Sequence, residues 1–163
     1  MMTLLGATMG LAALLGVWGG TPQDTAWDAW DGEAHLLAAE RATGRIAGAP
    51  VEYLGLRVSC DRVIFEAVDP GNGDHADAAW DEIYAVMGAD PHTLRIRNGG
   101  QSKTIDLTRE TDSDFEGRGS FGEIDPAGLD ALAEATDVLV SGEGWTLVFT
   151  GRGSSAAVAA MGC

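Results

Sequence analysis

Two strand–turn–strand stretches constrain this chain more than any other feature. In HTLRIRNGGQSKTIDLT (92–108), Leu94 and Ile96 alternate with Arg95 and Arg97, an Asn-Gly-Gly turn follows, and Ile105 and Leu107 resume the alternation. Period-two alternation around such a turn is a strong hairpin signal, because Asn98 and Gly99 can both take positive φ at low cost. DVLVSGEGWTLVFTG (137–151) repeats the logic around Glu143 and Gly144. A chain that builds two such hairpins is expected to carry an antiparallel sheet.

Other elements follow from period and punctuation. VEYLGLRV (51–58) and CDRVIFEAV (60–68) read as extended, being rich in Val, Ile, Tyr and Phe. Residues 112–123 alternate weakly and read as loop with an edge strand. Trp27, Trp30, Ala34, Leu37 and Arg41 recur at helical spacing within 24–44, with Gly44 as a stop. A second helix is expected from Asp74, with Ala76, Trp80, Ile83 and Met87 as its stripe and Gly88 closing it. A third starts at Asp125 with Pro126 in the first turn and turns Leu129, Leu132 and Ala133 inward; a fourth runs from Ser154 with Val158 and Met161. These predict an α+β fold, an antiparallel sheet of about five to six strands packed with about two to four helices and preceded by an apolar N-terminal segment. At 163 residues, one domain over 21–163 is expected.

Residues 1–20 carry no charged side chain, and 4–17 are almost continuously apolar. That run is shorter than the roughly 20 residues of a membrane span and fits the roughly 7–15 of a signal-peptide core. No Lys or Arg precedes it, and Arg41 is the first basic residue. The segment reads as a signal peptide, with a retained anchor over residues 2–18 or a buried helix as alternatives. Asp24, Asp28, Asp31 and Glu33 follow it, and nothing basic holds that side in the cytoplasm. Trp27 and Trp30 would then dock on the core or sit at a membrane interface beside an anchor.

The chain has 25 acidic and 10 basic residues, a net charge of −15. Such a surface repels phosphate backbones, so nucleic acid is not an expected partner. Its two cysteines, Cys60 and the final residue Cys163, are expected to pair, pinning the C-terminus to an early strand in an oxidising compartment. The expected location is periplasmic or otherwise extracytoplasmic.

Several motifs imitate chemistry. GRGSSA after a strand matches a dinucleotide fingerprint at Gly151, Gly153 and Ala156, yet no second strand or ribose-binding acid follows. What remains there is anion or partner contact at Arg152, Ser154 and Ser155. The similar glycines Gly117, Gly119 and Gly122 lack a following helix. DPGNGDHAD (69–77) fails as a calcium loop, because Gly71 and Gly73 stand where oxygen ligands are needed. His35, His75 and His92 are too scattered for a metal set, and Ser120 lies outside a nucleophile motif. No catalytic residue, metal or cofactor is expected.

The tail from Asp125, a helix DPAGLDALAEA, two strands and GRGSSAAVAAMGC, resembles the ending of small exported bacterial proteins of the invasion-associated locus B type. It departs from them in having two cysteines where that family usually has more. The resemblance implies a periplasmic β-rich domain without known catalytic machinery, and it carries over no functional residue. The expected function is an exported, non-enzymatic domain that binds a protein or a cell-envelope component. The alternatives are an accessory subunit of a membrane complex anchored by residues 2–18, and an unrecognised hydrolase.

Overall fold

The computed structural model describes residues 26–36, 38–48, 51, 54–67, 92–109 and 119–163. The strands are β1 (Asp28–Trp30), β2 (Glu33–Leu36), β3 (Arg41–Gly44), β4 (Leu54–Val58), β5 (Arg62–Ala67), β6 (His92–Asn98), β7 (Gln101–Arg109), β8 (Gly119–Glu123), β9 (Asp137–Gly142) and β10 (Trp145–Thr150). Two short helices complete the set among the described residues, α1 (Pro126–Ala133) and α2 (Ser154–Met161). The strands form one antiparallel sheet in the order β1-β2-β4-β5-β8-β7-β6-β9-β10-β3, curled into a half-barrel. The described residues are therefore mostly β, with ten strands in one sheet, which corrects the expected α+β fold of five to six strands with two to four helices.

The largest correction lies in residues 24–44. Helical spacing of the tryptophans competes there with an Asp-Gly pair, and the pair wins. Asp31 takes φ 57° and Gly32 takes φ 77°, both values that a two-residue hairpin turn requires. The chain reverses at that point, and Trp30 faces Glu33 across β1 and β2. The segment then pairs with β4 through β2, and next with β10 through β3. Between them Ala39 N–H donates to Leu54 C=O at 3.0 Å and Glu40 N–H to Val148 C=O at 2.8 Å. One continuous stretch thus ties the two ends of the sheet together.

Both strong hairpin expectations hold as β6–β7 and β9–β10. The first turn is displaced by one residue: Asn98 is still a ladder residue opposite Gln101, and Gly99 and Gly100 form the loop. β8 is not an edge strand but lies between β5 and β7. The helix expected from Asp74 to Gly88 lies outside the described residues, as does the 1–20 segment. Among the described residues no helix is long and apolar enough to cross a membrane.

Alternation sends one residue in two to the concave side. There Leu36, Leu56 and Phe65 form one cross-strand row with Ser120, while Leu94, Val140 and Leu147 form another. Each apolar member is at most 1% exposed, and burying such a side chain contributes about 1.5–3 kcal/mol. α1 begins at Asp125, whose carboxylate accepts from Gly128 N–H at 2.7 Å, and it buries Leu129 and Leu132. α2 packs against α1, β1 and β2 and buries Ala157 and Met161. Trp27 is 5% exposed in this core, with its Nε1 donating to Thr150 C=O at 2.8 Å.

Candidate functional site

The convex side of the sheet carries charged side chains together with Trp30 and Phe121. One cross-strand row runs Asp28, His35, Arg57, Ile64, Phe121, Thr108 over β1, β2, β4, β5, β8 and β7. At its β1 end the Trp30 indole stacks on the His35 imidazole, with centroids 3.6 Å apart and an interplanar angle of 11°. Arg57 reaches Glu33 on one side and Glu66 on the other, each at 3.6 Å. Burial holds the His35 imidazole below its usual range and Arg57 adds to the effect, while Glu33 and Asp28 oppose it. Burial also pushes the Glu66 carboxyl up, against the pull of Arg57.

At the other end the β7–β8 ladder is interrupted. Ile124 N–H donates to Asp61 C=O, so Ile124 and its alternate residues turn toward β5. Phe121 and Glu123 turn the other way, toward β7. Phe121 finds Thr108 there, but the next such pair, Glu123 with Asp106, is not joined. The strands still touch at Gly122: a Cβ there would lie 2.7 Å from the Asp106 carbonyl oxygen and 2.7 Å from Ile105 Cγ2. Beyond it they diverge, and Lys103 Nζ spans the gap to both carboxylate oxygens of Asp125 at 2.8 Å.

The divergence leaves a cleft of about 780 Å³ between β7 and β8. Ile105 and Ile124, both buried, close its floor. Its walls carry Asp61, Asp106, Glu123 and Asp125 against Arg62 and Lys103. Lys103 is committed to Asp125, and the Arg62 guanidinium lies 5.1 Å over the Phe121 ring. The Lys103 ammonium and the Gly128 N–H hold the Asp125 carboxyl below the usual range. The lining therefore has a surplus of carboxylate. Asp106 and Glu123 also present backbone N–H and C=O groups to the cleft, as does Thr104 by alternation.

A serine and a histidine do meet, though not where a substrate could reach. His92 Nδ1 and Ser120 Oγ are 2.9 Å apart, and each residue is 2% exposed. Phe65 and Trp145 flank the imidazole edge-on at 5.6 and 5.3 Å between centroids. A nucleophile must present its oxygen to a bound substrate. This pair is sealed within the core. Among the described residues no group of three or more His, Cys, Asp and Glu is arranged to hold a metal ion.

The structure joins Cys60 and Cys163 in a disulfide with Cα atoms 5.5 Å apart, Cys60 lying in the turn between β4 and β5. Such a bond is consistent with an extracytoplasmic location. Arg152 and Ser155 are exposed, whereas Ser154 is buried and its N–H donates to Gly151 C=O at 3.1 Å. Trp27 packs inward and Trp30 outward, so the two do not share a face. Nothing in the sequence singles out Thr104, Asp106 or Glu123, because ladder interruption leaves no composition signal. Comparison with protein-family models, curated proteins and solved structures finds no match.

Proposed function

We propose that the chain is an extracytoplasmic, non-enzymatic binding domain that takes a basic, extended segment of a partner protein in the cleft between β7 and β8. The observation that carries this reading is the interrupted ladder. Unpaired strand edges recruit an added strand through main-chain hydrogen bonds. Here those groups sit among Asp106, Glu123 and Asp61 in a chain of net charge −15, so electrostatics favour a basic segment. The disulfide supports the extracytoplasmic part of the reading.

The test is titration with a short peptide of alternating lysine and threonine, followed by backbone amide resonances. Saturable shifts are expected at Thr104, Asp106 and Glu123, with affinity falling by about ten-fold or more in the Asp106→Lys/Glu123→Lys double variant. Unmoved amides there, or equal shifts with an alternating glutamate and threonine peptide, would sink the reading.

A further inference from the structure

The β1–β2 hairpin lies at one end of the sheet order, with β4 and β5 between it and the β8 edge of the cleft. Trp30 is 44% exposed, the one large apolar side chain exposed among the described residues. A lone exposed tryptophan is unremarkable by itself. This one is backed on one face by His35, itself only 7% exposed, in a near-parallel stack. The indole is thus held in place with its other face toward solvent, and a ligand binding there need not pay to order it.

The surroundings of that face select the ligand. Asp28 and Trp30 are two residues apart on one strand and so project to the same side, with His35 opposite Asp28 and Glu33 opposite Trp30. Asp28 and Glu33 therefore neighbour Trp30 in the ladder, with Glu33 Oε2 3.6 Å from His35 Nε2, and Asp31 follows it in the turn. The Arg57 guanidinium lies between Glu33 and Glu66, 3.6 Å from each. Tryptophan has the most cation-attracting face of any side chain, and nearby carboxylates reinforce it. A neutral saccharide could stack on the same ring but would gain no charge attraction from these carboxylates.

We infer that the outer face of Trp30, framed by Asp28 and Glu33, is a binding site for an organic cation of the quaternary ammonium or guanidinium class. The site is separate from the β7–β8 cleft and stands or falls independently of it. Its test follows the Trp30 indole N–H resonance of the intact protein, assigned by its loss in Trp30→Ala. Tetramethylammonium chloride and N-acetylarginine amide are the cationic probes, and N-acetylglucosamine is the neutral one.

A saturable shift with a cation is expected, weakened about five-fold in Asp28→Asn/Glu33→Gln and unchanged in Asp106→Lys/Glu123→Lys. A stronger response to tetramethylammonium would assign the site to a free or lipid-borne quaternary ammonium, and one to the arginine amide to a partner's basic side chain. The inference is overturned if neither cation saturates, if N-acetylglucosamine shifts the signal as well as they do, or if the Asp28→Asn/Glu33→Gln variant binds as tightly as the parent.

Discussion

His92 and Ser120, distant in sequence, share a 2.9 Å hydrogen bond inside the concave core, on strands β6 and β8 that flank β7. A buried polar group that loses its partner costs about 1–3 kcal/mol, whereas replacing both partners by apolar groups can be nearly neutral. Ser120→Ala is therefore expected to lower the urea midpoint by a stability change of that size, with the slope unchanged. The double variant His92→Leu/Ser120→Ala should lose less than the sum of the single changes. Strict additivity would show that the bond contributes nothing.

Cys60 and Cys163 close a loop with a sequence separation of 103. The chain-entropy argument puts the stabilisation from such a loop at about 4–5 kcal/mol as an upper value, comparable with the whole stability of a small domain. Sulfhydryl titration of the native protein should find no free thiol. Cys163→Ser should lower Tm and speed amide exchange first in α2, whose buried Ala157 and Met161 hold the last helix against the core. Two titratable thiols in the native protein would contradict the bond.

Burial keeps the His35 imidazole neutral below its usual pKa of 6.5. The unfolded chain then takes up a proton that the folded chain refuses, so this contribution is fully present above about pH 6.5 and is lost as pH falls below it. Glu66 acts in the opposite sense, because its raised pKa makes stability fall as pH rises through 4.5 toward the folded value. The drop in Tm between about pH 7.5 and about pH 5.5 should be smaller in His35→Gln than in the parent. Equal drops would show that His35 titrates alike in both states.

Gly122→Ala sets two effects against each other. Reduced freedom of the unfolded chain favours Ala by about 0.4–1 kcal/mol. The new methyl would meet the Asp106 carbonyl and Ile105 Cγ2, both at 2.7 Å, and such overpacking costs about 1–3 kcal/mol. Net destabilisation is expected, with amide shifts concentrated in 103–106. A stabilised variant would mean that β7 and β8 do not meet at Gly122.

Period and turn chemistry alone determined the hairpins β6–β7 and β9–β10, the start of α1 at Asp125 and the α2 segment, because each depends on residues adjacent in the chain. Composition and cysteine count sufficed for the disulfide. The Asp31–Gly32 turn was also written locally, but the helical spacing of Trp27, Trp30 and Ala34 competed with it, and only pairing of β2 with β4 decided between them. Strand order, the tie of β2 and β3 to opposite ends of the sheet, the meeting of His92 with Ser120 and the parting of β7 from β8 belong to tertiary structure. Each joins residues far apart in sequence, and no local pattern encodes which distant strand a given edge will find.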